Sequence, residues 1–300
     1  MTESLHLNEL RVWSMTSLGD RYRQNGRYSE AETLLRQALV SAKQVFGPGD
    51  ANVSVILNNL AVLCKCMGKF DEAEQLYKRA LTTIEQETEV DDEKRATLYH
   101  NLGGLEHARC RYAEGEPLAR RAVQLREHAL GPNHVDVAAD LAALAAILDG
   151  QGKHDESEPL YRRALSIFER TYGAEHYEIA VNLNNLGAAA AARGRTDEAE
   201  QLYQRALQLK EKLLGPEHPD VAITLNNLAT LRISQLRFAE AATMYQRALA
   251  IFQTVFGPGH PKVVGCEKNY RCVLSALECR ERPSSRRSQA LARRRSWRTV

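Results

Sequence analysis

Long apolar runs are missing from these 300 residues: nothing approaches the 18 or so consecutive apolar side chains of a membrane-spanning helix. Met1 to Asn8 has no basic segment followed by an apolar stretch, so no secretory signal is expected. Six cysteines (Cys64, Cys66, Cys110, Cys266, Cys272 and Cys279) contain no CxxC pair and share no spacing. They read as reduced thiols of a cytoplasmic protein, with neither a disulfide frame nor a zinc site. HExxH, GxxxxGK[ST], GxSxG and a strand-borne GxGxxG are all absent, and Gly68-Lys69 and Gly152-Lys153 are turn residues. No enzyme, cofactor or metal is expected. Strong net charge is also lacking, at +2 overall, but its distribution is uneven. Residues 280–300 hold eight arginines against one acid, Glu281, which leaves the preceding residues at −5. A protein that grips nucleic acid through its folded body would carry the basic residues there.

What is present is a repeat. The segment Leu214 to Leu231 reads L-G-P-E-H-P-D-V-A-I-T-L-N-N-L-A-T-L, and steps of 42 residues back from Asn227 reach Asn185, Ala143, Asn101, Asn59 and Ser17. One step forward reaches Asn269. A fixed period of this length indicates stacked supersecondary units.

Each unit reads as two helices. In the second, Leu57, Leu60, Ala61 and Cys64 lie at i, i+3, i+4, i+7 on helix A, Gly68 ends it, and helix B buries Ala73, Leu76, Tyr77, Ala80 and Leu81. Helix B is expected to begin at Asp71 with a capping box to Glu74, repeated as Ser29/Glu32, Asp155/Glu158 and Asp197/Glu200. Glu74/Lys78, Glu116/Arg120 and Glu158/Arg162 have the favourable i, i+4 order. Ala38, Ala80, Ala122, Ala164, Ala206 and Ala248 form an unbroken column, and Gly19, Ala61, Gly103, Ala145, Gly187 and Ala229 form a second. Such small residues belong where helix axes cross closely. The second column ends at Arg271, so a lone closing helix is expected from Pro261 to about Arg280. The expected organisation is an N-terminal extension (1–8) and an all-α array over 9–279. Its units are about 9–49, 50–91, 92–133, 134–175, 176–217 and 218–259, with a capping helix over 260–279; an Arg-rich disordered tail follows at 280–300.

Leu, Gly/Ala, Ala, Tyr and Ala at these spacings resemble the tetratricopeptide repeat. The 42-residue period with G-P-x-H-P and L-N-N-L is similar to the variant of kinesin light chains and many bacterial arrays. The resemblance covers roughly residues 9–279. It implies a right-handed α-solenoid of about six helix hairpins, whose A helices line a concave groove that binds an extended peptide or partner protein. The coiled coil by which kinesin light chains join their motor is missing, so a kinesin subunit is not expected.

The outward face of helix A supports that implication from its residues alone. It carries Ile223, Asn226, Asn227, Thr230, Ile233 and Ser234 in the sixth unit, Val181, Asn184, Asn185, Ala188, Ala191 and Ala192 in the fifth, and Val55, Asn58, Asn59, Val62, Lys65 and Cys66 in the second. A solvated face would be rich in Lys and Glu; this one mixes small apolar residues with amides that both donate and accept. Asn58, Asn59, Val62, Asn101, Asn184, Asn185, Ala188, Ile223, Asn226, Asn227, Thr230 and Asn269 are therefore the candidate partner-binding residues. The alternative is that the asparagines bond neighbouring helices and set repeat spacing. Ala142 and Ala143 replace the asparagine pair in the fourth unit, and with Ala139 and Ala146 leave an apolar patch.

His100 and His107 stand on the same face of the third unit, separated by about 10 Å of helix rise, too few and too far apart for a metal site. His134, His176, His218 and His260 recur just before helix A, which marks helix entry and not catalysis. The entry to the third unit instead gathers Glu85, Glu87, Glu89, Asp91, Asp92 and Glu93, read as a solvated connection. Trp13 is expected to pack against Leu5 to Leu10. The expected function is a non-catalytic, monomeric protein-interaction scaffold. Two alternatives stand beside it: a regulator touching nucleic acid or anionic membrane weakly through the basic tail, and a sensor of a signalling peptide or small ligand.

Overall fold

The computed structural model describes residues 2–86 and 91–281, and among these it contains thirteen helices and no strand. They are α1 (Thr2–Gln24), α2 (Tyr28–Val45), α3 (Ala51–Cys66), α4 (Phe70–Glu85), α5 (Asp92–Ala108), α6 (Tyr112–Leu130), α7 (Val135–Gly150), α8 (His154–Tyr172), α9 (Tyr177–Ala192), α10 (Thr196–Leu214), α11 (Pro219–Ser234), α12 (Phe238–Phe256) and α13 (Pro261–Glu281). Odd-numbered helices are the A helices and even-numbered ones the B helices. The Arg-rich tail beyond Glu281 and residues 87–90, with Glu87 and Glu89 of the acidic entry, lie outside the described residues.

The chain divides into two compact units, Met1–Ile167 and Phe168–Val300. In the first, α1/α2, α3/α4 and α5/α6 form hairpins, each B helix packs on the next A helix, and successive A helices touch. The core here gathers Val12, Leu35, Ile56, Leu60, Tyr77, Ile84 and Leu105. In the second unit, α9/α10 and α11/α12 repeat the arrangement and α13 packs on α12, with a core of Val221, Leu225, Tyr245, Ile251, Phe252 and Val263.

The two columns of small residues have distinct jobs. The six alanines from Ala38 to Ala248 are all buried on the B helices. The glycine/alanine column marks where each A helix crosses its own B helix. A Cβ at Gly187 would lie 2.9 Å from the Tyr203 ring, and one at Gly19 only 2.8 Å from Leu35 Cγ. Nothing larger fits without displacing a core side chain.

The A-to-B turn is fixed by one left-handed residue. Gly68 has φ +74°, its N–H bonds to Lys65 O, and the Lys69 N–H returns to Cys64 O at 2.9 Å. Cys110 and Leu236 take the same position, at φ +58° and +59°.

That turn also overturns the capping boxes. The B helices start earlier than expected: α2, α4 and α10 have Arg27, Lys69 and Arg195 at the N-cap, none with a side-chain cap bond. Since the turn runs directly into the B helix, the Glu32/Glu74 position lies a full turn inside and cannot fold back onto its start. It reaches the next hairpin instead: Glu32 to Lys69 at 2.9 Å, Glu74 to Arg109 at 2.6 Å, Glu116 to Lys153 at 2.7 Å, and Glu200 to Arg232 at 2.6 Å. The local i, i+4 pairs Glu74–Lys78, Glu116–Arg120 and Glu158–Arg162 form as expected.

The recurring histidines are N-caps. Nδ1 of His134, His176, His218 and His260 accepts the backbone N–H two residues on, at 3.2 to 3.3 Å. Asp50 does the same for α3 at 2.8 Å, and Asp91 caps α5 through Lys94 N–H. Trp13 meets a residue at the end of the other helix of its hairpin, and the Leu5 side chain lies outside the described residues. Leu7 and Leu10 are exposed, and the indole tilts against Phe46 at the end of α2, with centroids 6.2 Å apart.

Candidate functional site

The face that the A helices turn away from their B partners carries the candidate residues. Asn58, Asn59, Val62, Asn101, Asn185, Ile223, Asn226 and Asn227 are half-buried, Ala188, Thr230 and Asn269 are exposed, and Asn184 is buried.

Their amides are organised by contact between hairpins. Asn101 Nδ2 donates to Asn58 Oδ1 at 2.8 Å, joining α5 to α3. Asn227 Nδ2 donates to Asn184 Oδ1 at 3.2 Å, joining α11 to α9. In both cases the second asparagine of one hairpin bonds the first asparagine of the hairpin before it. Asn58 and Asn184 in turn donate to Asn59 and Asn185 at 3.4 and 3.5 Å. The pairs thus set the spacing between A helices, and each bond uses a single amide N–H of the donor. Thr230 bonds the Tyr245 hydroxyl at 2.8 Å, and Asn269 meets the same hydroxyl.

Beside the asparagines the same kind of cavity appears once in each unit. One, of about 200 Å³, is lined by Val55 and Asn58 on α3, Ile84 on α4, and Lys94, Thr97 and Leu98 on α5. The other, of about 310 Å³, is lined by Ile223 and Asn226 on α11, Phe252 on α12, and Lys262, Gly265, Cys266 and Asn269 on α13. Six lining residues of the second stand four repeats after lining residues of the first, among them Ile223 after Val55, Asn226 after Asn58, Phe252 after Ile84 and Lys262 after Lys94. Each lining is mostly apolar and includes an asparagine and a lysine in the same registers.

At two intervening repeat positions the corresponding space is plugged. Arg126, in the register of Ile84, is buried with its Nε 3.0 Å from Asp140, and it also donates to Thr97 and to Glu93 O. The other Asp140 oxygen receives His100 Nδ1 at 2.7 Å. In the second unit Lys210 is buried against Thr224 Oγ1 at 3.0 Å, and Thr224 donates to Asn184. Burial pushes the Lys210 ammonium below its usual value, with the nearby Asp220 carboxylate opposing. The sequence reading missed Arg126, Asp140, Lys210 and Thr224. Their signal was available: polar residues in registers that are Ile84, Phe252, Leu98 and Ile56 elsewhere. His100 is thereby tied to Asp140, and His107 sets its ring edge-on to Tyr112 at 5.4 Å.

This hairpin architecture, with its register-locked faces, coincides with a match of the tetratricopeptide repeat model to residues 8–86, 94–170, 139–212 and 178–254. The chain belongs to the tetratricopeptide repeat family. No curated protein sequence matches it. Among solved structures it is similar to BtubC (BKLC) of P. vanneervenii, with TM-score 0.60 and 23% identity over 85% of this chain and 94% of that one. It is also similar to a kinesin light chain protein of P. anserina with nearly identical repeats, with TM-score 0.55 and 22% identity over 66% and 93% of the two chains. A signal-transduction ATPase of Pyrococcus horikoshii with a tetratricopeptide repeat sensor gives TM-score 0.66 at 15% identity, over 90% of this chain and 39% of that one. At such identities the likeness is one of fold. Tetratricopeptide arrays generally mediate protein–protein interactions, and among the described residues no helix is long and apolar enough to cross a membrane.

Proposed function

We propose that this protein is a non-catalytic scaffold that binds an extended peptide segment of a partner protein along the open face of its A helices. The observation that supports this best is the recurrence of one mostly apolar cavity, with an asparagine and a lysine in its lining, at the same repeat position in both units. Core packing has no need of open space there, as the plugged hairpins demonstrate. An apolar partner side chain would enter each cavity, and Asn226 or Asn58 at its edge would bond the partner backbone. The asparagine pairs carry a double duty, holding the A helices at a set spacing while presenting their remaining donor and acceptor sites.

Filling the cavities tests this directly. Val55→Trp and Ile223→Trp occupy the two spaces while leaving both asparagine ladders intact. With a partner first captured by the intact array, the double variant is expected to lose capture while retaining its helical circular dichroism and melting. Undiminished capture by a folded double variant would refute the assignment of this face.

A further inference from the structure

The closing helix α13 has no B helix of its own among the described residues, and the side it would turn to one lies open. On α11, Ala222, Leu225, Ala229 and Arg232 are buried where that helix meets α12. The residues 42 positions on are Val264, Glu267, Arg271 and Leu274 of α13. Val264 is 53% exposed and Leu274 38%, whereas the Val264 position is buried in each of the six A helices before it, from Val12 to Ala222. A cap that ends a repeat array in water carries a polar outer face. Val264 and Leu274 break that rule, at registers that elsewhere serve a helix contact.

The same four residues form a self-complementary pattern. They stand at i, i+3, i+7 and i+10 on one side of the helix, and read apolar, acid, base, apolar. Val264 and Leu274 are equidistant from position 269, and so are Glu267 and Arg271. A second α13, antiparallel to the first and related to it by a two-fold axis at that position, sets Val264 against Leu274 and Glu267 against Arg271, each contact occurring twice. Antiparallel is also the sense in which the B helices pack on their A helices. Within one chain Arg271 Nη2 donates to Glu267 Oε1 at 2.6 Å. A guanidinium has five N–H groups, so Arg271 can meet a second carboxylate across the axis while keeping the first.

We infer that α13 pairs with α13 of a second copy, making the protein a two-fold dimer joined at its closing helices. This departs from the monomer expected from the sequence. Lys262, Gly265 and Asn269, which line the second cavity, lie on the opposite side of α13, so pairing leaves that cavity open. The dimer does not depend on the peptide-binding reading. Where both hold, two binding faces are offered to one partner, and avidity rises without a new contact. One helix pair is a small interface, so association occurs at about micromolar concentrations or above.

Sedimentation velocity of the full chain, from about 1 to about 200 µM, tests this. The parent is expected to pass from monomer to dimer over that range. Arg271→Glu sets acids against acids across the axis and Glu267→Arg sets bases against bases, and each weakens association by about ten-fold or more. An equimolar mixture of the two single variants recovers a dimer, as a heterodimer. The double variant, in which the charges are exchanged, recovers it alone. These side chains lie on the outside of α13, so circular dichroism should be the same in every variant. A parent that stays monomeric at the highest concentration overturns the inference and leaves the face to another occupant, the chain beyond Glu281 included. A dimer that survives both single reversals, or that the mixture fails to restore, overturns it as well. Val55→Trp with Ile223→Trp leaves sedimentation unchanged, so the dimer and the peptide-binding face fail separately.

Discussion

Glu200 offers the sharpest test of how successive hairpins are held. It lies on α10 and clamps Arg232 of α11: Arg232 Nη2 donates to Oε1 at 2.6 Å, Nη1 donates to Oε2, and Gln235 adds a bond at 3.3 Å. The guanidinium is 5% exposed and the carboxylate 22%. Arg232 first, and Gln235 with less weight, hold the Glu200 carboxyl at about 2 against an ordinary 4.5, burial opposing them. At 1.36 kcal/mol per pH unit that depression bounds the clamp at about 3 kcal/mol, and solvent screening at the partly exposed carboxylate reduces it to about 2. The folded-state value is the lower one, so the stabilisation is complete above pH 4.5 and is lost as pH falls toward about 2. Glu200→Gln is therefore expected to cost about 2 kcal/mol near neutral pH and only a small fraction of that near pH 2, where about half of the native carboxyl is itself protonated. Urea unfolding followed by circular dichroism at both pH values measures this. Hydrogen exchange of α11 localises the effect, since an array need not melt as one unit. An equal cost at both pH values, or none at neutral pH, would refute the electrostatic account. Glu74 and Glu116, also held at about 2 by their bonds to Arg109 and Lys153, extend the same acid sensitivity to the first unit.

Two further outcomes follow from the turns. Leu236→Gly removes a left-handed non-glycine residue whose side chain is 61% exposed. Relief of about 1–2 kcal/mol of strain, less the added flexibility of glycine in the unfolded chain, leaves a gain of about 0.5–1 kcal/mol; differential scanning calorimetry should register a small rise in Tm, and a fall would contradict the strain. His218→Ala removes the acceptor for Asp220 N–H at the start of α11 and should cost about 1 kcal/mol in chemical denaturation, whereas His218→Asn should restore most of it. Equal losses in both variants would show that the imidazole acts by packing and not as a cap.

Much of the fold was legible because a repeat writes each constraint several times. One alanine at position 80 says little; six in register define a helix contact. The A-to-B glycine and the histidine at the entries to α7, α9, α11 and α13 were found in the same way. The candidate face was legible as a face, since Asn, Val and Ala stand where a solvated helix would carry Lys and Glu. What the individual side chains do there was not. Asn101 and Asn227 bond the preceding hairpin, and Glu74 joins Arg109 of the next hairpin where a local cap was expected. Both are contacts between residues more than thirty positions apart, and no local pattern reports a partner at that distance.

The period, the helix pairs and the registers of small and apolar residues belong to the sequence itself, because backbone propensity and the 3.6-residue stripe are properties of neighbours along the chain. Tertiary structure decided what differences between repeats in one register do to the space between hairpins. Val55 with Ile84, and Ile223 with Phe252, leave a cavity where hairpins meet, whereas Arg126 with Asp140, and Lys210 with Thr224, close the same space. Stacking converts a one-residue change within a repeat into the presence or absence of a binding space between two repeats, since a buried charge must bring its partner across the gap to be satisfied.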